Sequence, residues 1–442
     1  MASFETMQRP LKTHLPFDIL CAIFDQIDGK VSLLSTSLVC RSWFLAGRPT
    51  IFRSITIEAG DMEKGVDAFI NAMDNDKLPL VKDHCRNLQI RYTRQRWYTQ
   101  TSERPAVTAN KVAHILNHLR LRSLTLDCVN IAVGTELPPL QLGKHQLKHL
   151  TFRRVAVHRK VNDTPGRALY NFLRIFSRVD EMDLEIRSFE SLPLVTTHAM
   201  LSISDIAGFQ QKASPLDVKK LSLIFTYQES SYVYPIINHL LNPTSLYSVS
   251  MDCYSEESTE IIKNLVSESE HNLREIVIRP RCGMAGRRPE FREILVYKNM
   301  LDYSIKTFNI STCNLLSNIT LHFGTYRTDT PLNESVRIWS TINGILSCES
   351  RTIEYVQINW AVHEDKEVQW PPDMNWGNID SIASRFVALK EFRVVGYHLS
   401  EYQMDYVSGG DVQAKLVTGI RDRLPVLQGQ GLLKLGLASL ND

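Results

Sequence analysis

The sequence predicts an α/β fold in two parts: a short three-helix module at the N-terminus, then an irregular β/α solenoid, a horseshoe with parallel strands on its concave face. Three observations predict it. Two helical apolar stripes fill the first fifty or so residues, a six-residue strand-like pattern then recurs along the chain, and helical stripes occupy nearly every gap between its copies.

The first stripe runs from Leu15 to Ile27, with apolar residues at 16, 19, 20, 23, 24 and 27, three turns of helical periodicity. Pro16 suits the first helical position, where a missing N–H costs nothing, and Asp18 suits the positive end of the helix. Asp28-Gly29 ends it. Leu33, Leu34, Leu38, Val39, Trp43 and Phe44 form the second stripe, read as a short helix leading into a longer one that closes near Gly47 and Pro49. So few residues cannot bury both stripes by themselves, so an apolar face should be left for a partner.

The order of these residues is specific. Leu-Pro-x-acid-Ile-Leu (Leu15 to Leu20), Ile23-Phe24, Ser-Leu-Val-Cys-Arg-x-Trp (Ser37 to Trp43) and Phe-Arg-Ser-Ile (Phe52 to Ile55) together resemble an F-box. The one departure is Asp18, where that family usually carries Glu; the charge is kept. The resemblance implies docking onto a Skp-type adaptor, and through it a cullin and a RING subunit, by Leu15, Pro16, Ile19, Ile23, Phe24, Leu38, Val39, Cys40 and Trp43. It places the F-box at residues 13–57, after a flexible N-terminus of residues 1–12. The competing reading is a helical cap over the array that follows, since terminal repeats need covering.

From Phe52 onward the pattern apolar-x-x-apolar-x-apolar recurs, at Phe52–Ile57, Cys85–Ile90, Leu121–Leu126, Leu147–Phe152, Val179–Leu184 and Val218–Leu223. It continues at Leu246–Met251, Leu273–Ile278, Leu316–Leu321, Ile353–Ile358, Leu389–Val394 and Leu432–Leu437. The last two apolar positions alternate as one face of a strand does, and the first lies in the turn entering it. Between the copies lie stripes such as Val112, Ile115, Leu116 and Leu119; Leu169, Phe172, Leu173 and Phe176; Ile236, Ile237, Leu240 and Leu241; Ile261, Ile262, Leu265 and Val266; and Val336, Trp339, Ile342, Ile345 and Leu346. Strand, helix and return strand, repeated, resemble leucine-rich repeats over residues 58–442, although the spacing of roughly 26 to 43 residues is longer than usual for them. The alternative is an ordinary α/β domain with one open parallel sheet.

In such an array the loops after the strands and the concave face meet partners. Three loops carry the residue types that dominate interfaces: Arg94, Arg96, Trp97 and Tyr98 in residues 91–98, Arg287 in residues 279–288, and Trp370 and Trp376 in residues 364–376. They are the expected contacts to a protein substrate. A plain solvated loop accounts for the basic runs equally well, and tryptophans in a long loop also fold back over a core.

Catalysis is not expected. The chain lacks G-x-x-x-x-G-K-[ST], G-x-G-x-x-G, G-x-S-x-G and H-E-x-x-H. His114 and His118 are four apart on a predicted helix, as are His145 and His149, but neither pair has a nearby carboxylate or cysteine at ligand spacing, so no metal or other cofactor is predicted. The acidic run Glu256 to Glu260 reads as the opening of a helix. A net charge of +2 gives no global field for nucleic acid or an anionic membrane. Eight scattered cysteines without a C-x-x-C pair, no signal-like segment and no long apolar run predict reduced thiols in a cytoplasmic or nuclear protein.

Overall fold

The computed structural model describes residues 15–27, 29–60, 65–93, 104–133, 143–157, 166–186, 215–225, 227–253, 263–280, 310–324, 346, 351–363, 376–399 and 419–438. Three helices open it: α1 (Phe17–Gln26), α2 (Lys30–Ser37) and α3 (Arg41–Ile51). Gly29, at the turn between α1 and α2, has φ +90°, a conformation that side chains resist. Pro49 does not close α3 as its ring predicts. The helix runs on to Ile51, because Ile51 is buried in the module's core and tertiary packing overrides the local penalty.

Strands follow in chain order: β1 (Ser54–Glu58), β2 (Asn87–Arg91), β3 (Ala106–Thr108), β4 (Ser123–Asp127), β5 (Asn130–Ala132), β6 (His145–Val157), β7 (Phe176–Ile186) and β8 (Leu216–Phe225). Next come β9 (Leu241–Asn242), β10 (Ser248–Cys253), β11 (Glu275–Pro280), β12 (Asn318–Gly324), β13 (Tyr355–His363), β14 (Glu391–Leu399) and β15 (Leu433–Ala438). Every pairing among the described strands is parallel. The main sheet is ordered β1-β2-β4-β6-β7-β8-β10-β11-β12-β13-β14-β15, while β3, β5 and β9 pair at its margins. Each of the twelve recurrent segments supplies one of these twelve strands. The order never reverses, whereas a doubly wound sheet must reverse at its switch point.

The register explains the pattern. Ile55 faces Leu88, then Leu124, Leu150, Met182, Leu221, Val249, Ile276, Ile319, Val356, Phe392 and Leu433 in one row. Two residues on, Ile57 begins a second row that ends at Leu435. Through β14 the two rows are the second and third apolar positions of the segments; in β15 Leu433 and Leu435 take those places, two residues earlier than the segment Leu432–Leu437 predicts, and the rows form the sheet's side of one continuous hydrophobic core. The first position lies in the entering turn except in β6, β7 and β8, which start earlier. That turn recurs too. The carbonyl of Arg53 accepts the N–H groups of both Arg86 and Asn87, and those of Arg86, Arg122, Tyr247, Arg274, Ser317 and Glu354 each accept two from the next rung.

The helices cover the apolar face. They include α4 (Val66–Asp74), α5 (Pro79–His84), α6 (Ala109–His118), α7 (Arg167–Leu173), α8 (Tyr227–Leu240), α9 (Trp376–Ala383) and α10 (Pro425–Gly429). The predicted stripes Val112, Ile115 and Leu116 on α6 and Leu169, Phe172 and Leu173 on α7 are buried there. Phe176 and Leu241 are corrections, since each begins a strand rather than ending a helix. His145 and His149 lie on β6, not on a helix, because Leu147, Leu150 and Phe152 turn into the core as strand residues. At Cys85, in the entering turn of β2, burial pushes the thiol up to about 11, as suits an inert core side chain. Cys21, Cys40, Cys85, Cys128 and Cys313 carry free thiols. Among the described residues no helix is long and apolar enough to cross a membrane.

One buried charge ties the last turn of the fold together. The Asp380 carboxylate of α9 accepts the N–H groups of Val426 (2.8 Å) and Leu427 (2.9 Å) in the first turn of α10. Asp380→Ala strands both N–H groups away from water and should cost about 3 kcal/mol or more. Faster amide hydrogen exchange over residues 419–438, with the exchange of β1 to β8 unchanged, is the expected readout.

Candidate docking surface

The three N-terminal helices have their own small core: Leu20, Phe24, Leu33, Ala46 and Ile51, with Cys21, Ile27, Trp43 and Phe52 packed around it. Its centre is a crossing of α1 over α3. Phe24 is wholly buried, and a Cβ on Gly47 would lie 2.6 Å from its ring, so the helices approach this closely only because residue 47 has no side chain. Trp43 meets the same ring edge-on at 6.0 Å. Asp25 of α1 accepts from Thr50 (3.0 Å) and pairs with Arg53 (2.8 Å), an exposed pair that orients more than it stabilises.

That core uses only the inner half of the stripes. Among the described residues twelve large hydrophobic side chains are exposed, and eight of them belong to this module: Leu15, Phe17, Ile19, Val31, Leu34, Leu38, Val39 and Leu45. Leu38 and Val39 are 82% and 65% exposed, in the link between α2 and α3. Single exposed leucines are ordinary; this many in one small module mark an interaction surface.

Of the nine residues expected to meet an adaptor, Leu15, Pro16, Ile19, Leu38, Val39 and Cys40 are exposed, and Ile23 and Trp43 are half-buried. Phe24 is corrected: it forms the module's centre and has no surface to offer. Phe17, Val31, Leu34 and Leu45 are exposed apolar residues that the reading did not assign to docking. Val31 lies on the side of α2 away from buried Leu33, and an apolar residue facing away from its core is the signal that could have found it, whereas Phe17 shares the face of Leu20 and Phe24 and is exposed as the first residue of α1.

The sheet's other face is polar. Thr56, Gln89, Thr125, Thr151, Asp183, Ser222 and Ser250 align across β1 to β10. Beside them, Glu181 pairs with Lys220 (3.2 Å) and His149 (3.0 Å), and the Lys220 ammonium holds its carboxyl below the ordinary range. At Asp183 the crowding of protein around the carboxyl outweighs the Ser222 hydroxyl, Arg279 and Arg153, and raises it. Ser250 is buried, and its hydroxyl has no partner among the described residues.

Arg94, Arg96, Trp97, Tyr98, Arg287 and Trp370 lie outside the described residues, as does the acidic run Glu256 to Glu260. Trp376 does not, and it corrects the expectation of a surface contact. It is the first residue of α9 and only 3% exposed, part of the main core with Ile379 and Ala383.

Compared with known protein families, residues 13–58 match the F-box-like family. The chain thus carries an F-box-like domain on the three helices just described, with their exposed apolar face. No curated protein matches the chain.

Proposed function

We propose that this chain is the substrate-recognition subunit of an SCF-type ubiquitin ligase. Its F-box docks a Skp-type adaptor, and its sheet, read as a leucine-rich-repeat-like solenoid, presents the polar face and neighbouring loops to a target protein. One observation carries the reading. Leu15 and Ile19 are 46% and 47% exposed, whereas a helical cap would bury them against the first strands. The unbroken rows from Ile55 and Ile57 support the repeat reading, because each strand–helix unit extends the core of the one before.

In this role the chain performs no chemistry and needs no cofactor. Cullin and RING subunits reached through the adaptor bring a charged conjugating enzyme, and the receptor raises the target's effective concentration beside it. The cytoplasm or nucleus is the setting. The test is capture of purified Skp-type adaptor by the full chain, beside a Leu15→Asp/Pro16→Ala variant. Capture by the parent and not by the variant is expected. A well-folded parent that captures no adaptor would overturn the proposal and leave a repeat scaffold capped by its first fifty or so residues.

A further inference from the structure

We propose that Asp74, His114 and His118 form a binding site for one divalent transition metal ion of the zinc class, bridging α4 and α6 on the helical side of the sheet. No carboxylate stands near the two histidines in the sequence, but the fold supplies one from forty residues away. Asp74 is the last residue of α4, and α6 lies beside it running the same way, as successive strand–helix units require.

The pairing is anchored at both ends. Lys111, near the start of α6, meets Asp67 near the start of α4 (2.7 Å), while Met73, Val112 and Ile115 pack beneath. Thr108 caps α6 by accepting the Lys111 N–H (3.4 Å), which fixes the turn from which the histidines are counted. Four residues apart on one helix, His114 and His118 project from the same face, their ring centres 4.9 Å apart.

Both rings aim the same nitrogen at the same oxygen. His114 Nε2 lies 2.8 Å and His118 Nε2 3.5 Å from Asp74 Oδ1. An ordinary ion pair needs one imidazole; two converging on one carboxylate oxygen leave a donor set, all within 4.8 Å of one another, that a cation can gather. Around tetrahedral zinc, bonds of 2.0–2.2 Å hold neighbouring donors roughly 3.3 Å apart, between the two distances found here. Two imidazoles select zinc, copper, nickel or cobalt over magnesium and calcium. All three side chains are 35–43% exposed, so the ion enters from solvent and a water completes its shell.

Cobalt is the probe, because its visible spectrum reports coordination. Untagged full-length chain, stripped with a chelator, should take up one Co²⁺ with the intense bands of a four-coordinate site and release it to Zn²⁺. His118→Gln should weaken binding at least about tenfold, and His114→Gln with His118→Gln should abolish the bands. His149→Gln, which removes an imidazole from β6 on the sheet's polar face, should leave the affinity unchanged. A parent without the bands at millimolar Co²⁺, or a double variant that binds as the parent does, would overturn the assignment. The adaptor-capture assay reads a different surface, so either result stands apart from the ligase proposal.

Discussion

Replacing Phe24 with alanine should cost the N-terminal module about 3–5 kcal/mol, enough to unfold it while the sheet stays intact. The ring is wholly buried and fills the crossing against Gly47 and Trp43. Among the described residues only four others are buried in that core, and a module this small has little stability to lose. Its core is distinct from the one beneath the sheet, joined to it through Phe52, which packs against both. Hydrogen exchange should therefore show residues 15–51 losing protection in Phe24→Ala while β2 to β8 keep theirs. An adaptor that binds only the folded module should restore protection as its concentration rises. Loss spread evenly over helices and sheet would show the two cores to be one cooperative unit.

The Leu15→Asp/Pro16→Ala variant should do the reverse. Its exposed positions precede α1, and the hydrogen bond that anchors the helix there, Leu20 N–H to the Pro16 carbonyl (3.1 Å), is a backbone bond that survives both changes. Thermal unfolding should shift by no more than about 0.5 kcal/mol. Adaptor affinity should fall at least about 100-fold, since a carboxylate introduced into an apolar contact must be buried without a partner. Calorimetry measures both quantities on one preparation. Affinity within a few-fold of the parent would mean that docking uses other residues, with Leu38 and Val39 the next to change.

The strands were legible because parallel stacking repeats one demand. Each rung must place two apolar side chains two residues apart, so Ile55 and Ile57 and their counterparts through Leu433 and Leu435 stand out from the polar residues between them. The division of labour inside the first helix was not legible. Apolar residues at 16, 19, 20, 23, 24 and 27 span an arc of roughly 140° on a helix, and periodicity does not say which part of that arc turns inward. Leu20 and Phe24 took the inside, while Leu15, Pro16 and Ile19 were left out, so Phe24 was assigned to the wrong surface. Distance along the chain hid the third member of the histidine cluster. Asp74 meets His114 only because α4 and α6, from successive strand–helix units, align, and no spacing rule spans forty residues. Trp376 was unreadable for another reason: a tryptophan at the edge of a long segment serves an interface or a core equally well, and here it heads α9 with its ring in the core.

The strand order carries a consequence for how the protein is made. Since β1 pairs with β2, β2 with β4, and so on to β15, no strand of the main path waits for a neighbour that has yet to be translated. Each new segment leaving the ribosome finds a finished edge, with a carbonyl such as that of Arg53 or Arg86 already placed to receive its first two N–H groups. Assembly can keep pace with synthesis, one rung at a time. The helical module is translated before the sheet, so its apolar surface meets the cell long before β15 exists.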